Sequence, residues 1–270
     1  MMKIGIFDSG LGGLGVLLCA AKLMPDVDFV YYADSDNVPY GEKSREIIAA
    51  LSSTAVDFLK ERGAGAVVVA CNTATSAAIT ELREKHEWGE RAIPIIGMEP
   101  AVKRAIDICE SGRILAAATP LTVRGAKLRN LLERFDKSGR TDTIPLPGLV
   151  RLAEEGRFDG GYEYIKGEID MAGLDISQYS ALVLGCTHFN YFKDSFARIL
   201  PVGARIVDGN LGTVRQLLKR IEMDAATVAG DPVASTMGRT EFFASGRAMT
   251  SPELSRVEEC LCRLNEMEGI

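Results

Sequence analysis

Residues 67–73 read VVVACNT, and residues 181–188 read ALVLGCTH. Each stretch is an apolar run of the kind that forms a buried parallel strand, and each ends in a small polar cluster that begins with a cysteine. Functional groups in an open α/β sheet lie just beyond the carboxyl ends of its strands. The pattern therefore predicts two thiols, Cys71 and Cys186, at equivalent positions of two related halves. Two thiols on opposite sides of a substrate suit the removal of a proton from one face of a carbon and its return to the other.

Predicted strands and helices alternate on both sides of these two stretches. This alternation predicts mostly parallel sheets with helices on both faces. The predicted fold class is α/β, with two similar open-sheet lobes and the active site in the cleft between them. We place residues 1–97 and 209–270 in the first lobe and residues 98–208 in the second. Within this plan we expect a helix over residues 191–199, and we expect His86 to be exposed in its charged stretch.

Composition and charge exclude several classes of protein. A chain of 270 residues with 47% hydrophobic residues can form a large core, and a net charge of −6 with scattered basic residues argues against nucleic-acid binding. The sequence has neither a membrane-length apolar run nor a signal-peptide pattern, so we expect a cytoplasmic protein. Six cysteines are too few for a disulfide scaffold, so free thiols are expected, and two histidines argue against a His-rich metal site.

Residues 10–15 read GLGGLG and fit the G-x-G-x-x-G pattern of a dinucleotide-binding turn. Asp34, at the end of the next predicted strand, lies at about the right distance for that pattern. However, Asp8 and Ser9 stand between the first strand and the first glycine, and a carboxylate there would repel a pyrophosphate. The sequence therefore favours a substrate-binding turn, with an NAD-dependent oxidoreductase as the alternative. Ser9 and Asp8 either bind the carboxylate and ammonium of a substrate or cap the helix.

Further polar candidates lie beside the two cysteines, after other predicted strands or on a predicted helix. A helix that begins after each cysteine lowers the pKa of its thiol, although a single cysteine at a strand end is more often part of the core. The matching contexts of the two cysteines favour function. The other candidates are Tyr40, Gly41, Asn72, Thr73, Thr119, Thr122, Glu154, Thr187 and His188.

Taken together, these motifs resemble the glutamate racemases of the aspartate/glutamate racemase superfamily. The resemblance rests on FDSGLGG at residues 7–13, VPYG at 38–41, ACNTA at 70–74 and LGCTHF at 184–189, and it spans essentially the whole chain. It implies an enzyme that needs no cofactor or metal and interconverts L- and D-glutamate. The D-glutamate is used in bacterial peptidoglycan synthesis. We expect a homodimer that binds this small amino acid, with no nucleic-acid or membrane partner.

The resemblance also implies roles for individual residues. Cys71 acts on the D-enantiomer and Cys186 on the L-enantiomer, while Asp8 and His188 each assist the neighbouring thiol. The implied substrate-binding residues are Asp8, Ser9, Tyr40, Gly41, Asn72, Thr73, Thr187 and His188. Residues that could support them from further out are Asp34, Thr119, Thr122 and Glu154.

Three positions depart from the family pattern. Asn190 and Arg151 stand where proline is usual, and Gly209 stands where serine is usual. The sequence therefore leaves open an aspartate racemase or a racemase of broader specificity. A two-lobed amino-acid-binding protein is the non-enzymatic alternative. The dimer geometry and any regulation are not fixed by the sequence.

Overall fold

The fold was analysed in a computed structural model, which describes residues 2–226 and 230–270. Its strands have the apolar, β-branched runs expected of buried parallel strands. In chain order the strands are β1 (Lys3–Asp8), β2 (Asp28–Ala33), β3 (Ala64–Val69), β4 (Ile95–Gly97), β5 (Arg113–Ala118), β6 (Thr141–Pro145), β7 (Tyr179–Leu184), β8 (Arg205–Val207), β9 (Thr240–Ala244) and β10 (Arg247–Ala248).

The helices connect consecutive strands or pack on the sheets. In chain order they are α1 (Leu14–Leu23), α2 (Arg45–Glu61), α3 (Asn72–His86), α4 (Val102–Ile108), α5 (Pro120–Arg124), α6 (Ala126–Phe135), α7 (Gly148–Glu155), α8 (Gly161–Met171), α9 (Lys193–Ile199), α10 (Asn210–Arg220), α11 (Pro232–Gly238) and α12 (Ser251–Glu266). Short 3₁₀ turns at Tyr40–Glu42 and Thr187–Phe192 bear on the site described below. Within the described residues, no helix combines the length and apolarity needed to cross a membrane.

The strands form two sheets with the same internal order. The first sheet runs β10-β9-β2-β1-β3-β4, and the second runs β6-β5-β7-β8. All neighbouring strands are parallel except β9 and β10. In each sheet the chain starts in a central strand, moves to one side and returns to the other, so β3 and β7 occupy equivalent places. The predicted α/β fold class with two open-sheet lobes is confirmed. The domain boundaries given above stay a prediction.

The core follows the two-residue period of the strands, which sends alternate side chains to opposite faces of a sheet. Ile4 and Ile6 of β1 point to a cluster that continues onto the second sheet through Leu182 of β7. Phe7 points to a separate cluster between the first sheet and α2 and α3. The two lobes therefore share one apolar cluster, and this contact sets the carboxyl ends of their strands toward each other.

Two local expectations are wrong. The helix expected over residues 191–199 begins only at Lys193, because the preceding residues form the 3₁₀ turn Thr187–Phe192. The side-chain amide of Asn190 donates a hydrogen bond to the Thr187 carbonyl (3.0 Å) and supports this tighter turn.

His86 was expected to be exposed, yet it is 2% exposed. The last turn of α3 packs on α2, where the Lys60 ammonium lies 3.4 Å from His86 Nδ1. The charged residues around His86 therefore point outward, while its own ring points inward.

Candidate active site

A cleft between the lobes collects residues from the carboxyl ends of both sheets. Its lining includes ten of the residues predicted from the sequence and five that were not. The predicted ones are Ser9, Tyr40, Gly41, Cys71, Asn72, Thr73, Thr119, Cys186, Thr187 and His188, and the others are Pro39, Glu42, Pro120, Pro147 and Val150. The remaining predicted residues, Asp8, Asp34, Thr122 and Glu154, lie behind this lining and contact it.

The cleft is narrow. Its free volume is about 20 Å³, which is room for about one water molecule. An amino acid is larger than this space, so its entry requires the lobes or their side chains to move apart. Glu42 of the first lobe and Arg151 of the second form an exposed ion pair near this cleft.

The first thiol lies at the amino end of α3. Cys71 is the N-cap residue of that helix, and its sulfur accepts a hydrogen bond from the Ala74 N–H (3.4 Å) while facing the Ser9 hydroxyl at 3.5 Å. Burial, together with the nearby Asp8 carboxylate, raises the pKa of Cys71 to about 12. Cys71 is therefore a protonated thiol at neutral pH.

Asp8 is fully buried at the end of β1 and connects the two lobes. Its carboxylate accepts hydrogen bonds from the Gly10 N–H (3.0 Å) and, across the cleft, from the Thr187 hydroxyl (3.1 Å). Burial raises the pKa of Asp8 to about 6, although the hydrogen bonds and the charge of His188 oppose this rise. At neutral pH the Asp8 carboxylate is therefore ionised, although burial disfavours its charge.

The second thiol has a different neighbourhood. Cys186 Sγ lies 3.9 Å from His188 Nδ1, and His188 Nε2 lies 2.6 Å from a Glu154 carboxylate oxygen. Burial alone would lower the pKa of His188, but its hydrogen bonds with Cys186 and Glu154 outweigh burial and hold that pKa well above the ordinary value. An imidazolium at this position donates one N–H to the carboxylate and directs the other at the sulfur.

The glycine-rich turn is covered by the second lobe. A Cβ placed on Gly10 would lie 2.1 Å from a Glu154 carboxylate oxygen, and a Cβ on Gly12 would lie 2.5 Å from the His188 ring and the Thr187 hydroxyl. The Leu11 N–H also donates to Glu154 (2.7 Å). The glycines therefore allow the lobes to approach each other, and a pyrophosphate has no room on this turn.

Two other predicted groups have roles that their sequence context did not indicate. Tyr40 and Gly41 line the cleft. The Tyr40 hydroxyl donates to the Asp34 carboxylate (2.6 Å), and this hydrogen bond fixes the position of the tyrosine ring. The hydroxyls of Thr73 and Thr119 meet across the lobes at 3.0 Å, and Thr122 contacts Thr119 at 3.0 Å.

Two tyrosines that support the site were missed. Tyr31 donates to the Gly10 carbonyl (2.8 Å) and Tyr191 donates to the Leu11 carbonyl (2.7 Å), and both are fully buried. Their hydroxyls position the glycine turn. Because these contacts join positions 21 and 180 residues apart, no local sequence pattern could have revealed them.

Comparisons with known proteins agree with this geometry. The family model described as Asp/Glu/Hydantoin racemase matches residues 16–217. The chain belongs to this family. The resemblance predicted from the motifs is thereby confirmed, and the chain is an enzyme of the racemase class.

Individual relatives cover the whole chain. It is 49% identical to the glutamate racemase of Campylobacter curvus over 98% of both chains, and 45% identical to that of Lachnospira eligens over 100% of both. Among solved structures, Escherichia coli glutamate racemase, described in complex with L-glutamate and the activator UDP-MurNAc-Ala, superposes with a TM-score of 0.79 at 29% identity, covering 95% of each chain.

Proposed function

We propose that this chain racemises glutamate without a cofactor, using Cys71 and Cys186 as acid and base on opposite faces of the substrate. The observation that carries the proposal is that both thiols line one cleft from equivalent strand ends of two sheets. The relatives at 45% and 49% identity over nearly the whole chain bear the name glutamate racemase, which supports glutamate as the substrate.

Cys186 begins the reaction from L-glutamate. The imidazolium of His188, stabilised by Glu154, lies beside the Cys186 sulfur and offsets negative charge there when Cys186 acts as the base. The thiolate takes the Cα proton and becomes a thiol. The electron pair left on Cα spreads into the carboxylate, so the site must stabilise additional negative charge there.

Cys71 completes the reaction on the other face. Its thiol gives its proton to the planar carbanion and becomes a thiolate, so that D-glutamate forms and the two sulfurs have exchanged protonation states. The reverse reaction starts from the thiolate of Cys71. Burial and Asp8 disfavour that thiolate, since both raise the pKa of Cys71. A substrate ammonium beside Asp8 would offset this effect.

The remaining groups suit the two ends of an amino acid. Asn72 is buried, and its Oδ1 has no hydrogen-bond partner among residues 2–226 and 230–270, so it can accept from an ammonium group. The amino end of α3 offers N–H groups to a carboxylate. The Thr73 and Thr119 hydroxyls are further donors at the interface between the lobes.

Closure of the lobes completes the site. The narrow cleft leaves little room for water, and exclusion of water strengthens each electrostatic contact with the reacting atoms. We infer that Asp8, Glu154 and the threonine pair, which all reach across the interface, bring the lobes together around the substrate. The division into residues 1–97 with 209–270 and residues 98–208 describes the two bodies that would move.

The biological role follows from the product. D-Glutamate made by this reaction would serve peptidoglycan synthesis, and we propose a cytoplasmic homodimer. No observation on this chain favours aspartate over glutamate.

The experiment that tests the activity follows the circular dichroism of L-glutamate with enzyme dialysed against a chelator and supplied with no nicotinamide or pyridoxal cofactor. The proposal expects the signal to decay to zero, because the enantiomers have equal free energies. L-Aspartate at the same concentration is the matched comparison. A folded enzyme that leaves L-glutamate unchanged contradicts the proposal, and faster loss of the aspartate signal would reassign the substrate.

A further inference from the structure

The last helix of the chain, α12, contacts elements of both sheets. It packs on α1, which follows the first strand, and on the 3₁₀ turn Thr187–Phe192, which follows β7 of the second sheet. Its buried residues belong to the apolar cluster that the sheets share, and they are Val257, Cys260, Leu261 and Leu264. Two arginines of α12, Arg256 and Arg263, extend from this helix to elements that support the active site.

Arg256 binds the carboxyl end of α7. Its Nη2 donates to the Ala153 carbonyl at 3.1 Å, and Ala153 directly precedes Glu154 in the last turn of that helix. Gly156, the residue after α7, has a φ of +72°, and a Cβ placed on it would lie 2.2 Å from Arg256 Nη2. The glycine therefore leaves room for the guanidinium at a helix end whose carbonyls need donors and favour a cation.

The contacts of Glu154 require the end of α7 to be well placed. The same carboxylate oxygen of Glu154 lies 2.6 Å from His188 Nε2 and accepts from the Leu11 N–H at 2.7 Å. His188 and Leu11 lie on two other segments, the 3₁₀ turn and the glycine-rich turn. A small displacement of the end of α7 would therefore lengthen both hydrogen bonds together.

Arg263 binds the turn from the same helix. Its Nε donates to the Tyr191 carbonyl at 3.1 Å, and its Nη2 donates to the Asp194 carboxylate at 2.7 Å. The Phe158 ring stacks on the Tyr191 ring at 5.1 Å, and the guanidinium carbons of Arg256 and Arg263 lie 5.3 and 5.6 Å from its centroid. Helix α12 thus supports both the helix and the turn that meet at the second thiol.

We propose that Arg256 is a positioning residue for the Glu154–His188 pair. By holding the Ala153 carbonyl from α12, Arg256 keeps the end of α7 where the Glu154 carboxylate reaches the His188 ring. The inference rests on the proposed function, in which the imidazolium of His188 assists Cys186.

A positioning effect and a direct charge effect of Arg256 have opposite signs. Removal of a nearby cation would by itself raise the pKa of His188. Loss of positioning would instead weaken the hydrogen bond with Glu154 and lower that pKa. The ionisable groups that act on His188 are Glu154, Cys186 and Asp8, and all three remain in an Arg256 variant. The direction of the change therefore separates the two effects.

The test is an NMR titration of the histidine rings in Arg256→Met, measured without substrate. Methionine keeps an unbranched apolar stem and removes the N–H donors. The chain has two histidines, so the His86 ring serves as an internal reference. The proposal expects the titration midpoint of His188 to fall by about one pH unit, as for partial loss of a charge-assisted hydrogen bond, while that of His86 stays unchanged. The kcat/KM for glutamate is expected to fall about 3- to 10-fold.

Two further variants serve as rescue and control. Arg256→Lys keeps a charged donor on a flexible stem and should restore most of the His188 midpoint. Arg247→Met removes an exposed arginine that pairs with Glu253 in the first turn of α12, and it should leave the His188 midpoint unchanged. If Arg256→Met fails to fold, Arg256→Gln, whose side chain is too short to reach the carbonyl, should show the same fall and decides the outcome.

An unchanged or raised His188 midpoint in a folded Arg256→Met or Arg256→Gln overturns the proposal. Arg256 would then only stabilise the end of α7, and its loss would lower the free energy of unfolding alone. Because the titration needs no substrate, a parent protein that fails to racemise glutamate would contradict the proposed function without changing this readout.

Discussion

The two halves of the site are built on the same strand order but place their thiols in opposite electrostatic surroundings. Cys71 follows β3 and has a buried carboxylate, Asp8, as its charged neighbour. Cys186 follows β7, the equivalent strand, and its charged neighbour is His188, which Glu154 stabilises as a cation. Equivalent backbone positions therefore give the two thiols different charged neighbours. In the proposed reaction, the side chain next to each thiol would determine which one starts as base and which as acid.

The largest effect should come from removing either sulfur. Cys71→Ser and Cys186→Ser are each expected to lower kcat/KM for racemisation about 100- to 10,000-fold, the range for loss of a general acid or base. Circular dichroism with each enantiomer measures the rate. Cys262→Ser, at an exposed cysteine of α12, is the matched control and should remain within about twofold of the parent enzyme. Near-normal turnover in either active-site variant would contradict the two-thiol account.

The next effect concerns the Cys186 side alone. Glu154→Gln removes the charge that holds the pKa of His188 high, so the imidazolium should lose its proton at lower pH. A loss of about 10- to 100-fold in kcat/KM near neutral pH is expected from the loss of a charge-assisted hydrogen bond. The pH profile of the variant should also fall off at lower pH than that of the parent enzyme.

Glu155→Gln provides the control for Glu154→Gln, because Glu155 is exposed and pairs with Arg157 away from the thiols. It should leave both the rate and the pH profile unchanged. If Glu154→Gln lowered the rate without moving the pH profile, the carboxylate would act by packing rather than by charge.

Asp8, the charged neighbour of Cys71, should make the free energy of unfolding depend on pH. The pKa of Asp8 is raised from 3.8 to about 6 in the folded protein, so the folded state holds this proton more tightly than the unfolded state does. The resulting stability is full below pH 4 and is lost as the pH rises through about 6. Between pH 4.5 and 7.5 this single group should lower the free energy of unfolding by about 2 kcal/mol.

Asp8→Asn isolates that effect. Urea unfolding of the parent protein and the variant at both pH values should show the parent losing about 2 kcal/mol more than the variant. The variant is expected to lose activity even though it is relatively more stable at neutral pH. An identical pH dependence in the two proteins would show that Asp8 is not strained by burial.

The smallest effect should come from the ion pair between Glu42 and Arg151 near the cleft. Arg151→Ala removes the exposed contact with Glu42 across the lobes, and exposed pairs contribute little. We expect KM for glutamate to rise at most about threefold and the difference to vanish at high salt. Arg157→Ala, whose pair with Glu155 lies within one lobe, is the control. A large change in kcat for Arg151→Ala would assign this residue a role beyond closure.

The sequence was sufficient for the parallel strands of both sheets and for the strand-end positions of both thiols, because these depend on local patterns. Apolar runs such as residues 67–69 identify buried strands, and a cysteine that follows such a run lies at a strand end. The antiparallel strand β10 and helix α11 were missed, since Arg247–Ala248 has only two residues and Pro232–Gly238 lacks an apolar period.

The partners within the site could not be predicted in the same way. The sequence placed Glu154 only among residues that could support the site from further out. In the structure it contacts both His188 and the Leu11 N–H. Asp8 and Thr187 are 179 positions apart and meet only when the lobes pack together. Such contacts depend on the geometry of the interface, which no short sequence pattern encodes.

The measurement that tests the central claim most directly is the early conversion of L-glutamate in D₂O, with the deuterium content of each enantiomer analysed separately. If two thiols act on opposite faces, the first D-glutamate formed carries deuterium at Cα while the remaining L-glutamate keeps its protium. Equal deuterium in both enantiomers from the start, or retention of protium in the product, would point to a single base and contradict the account.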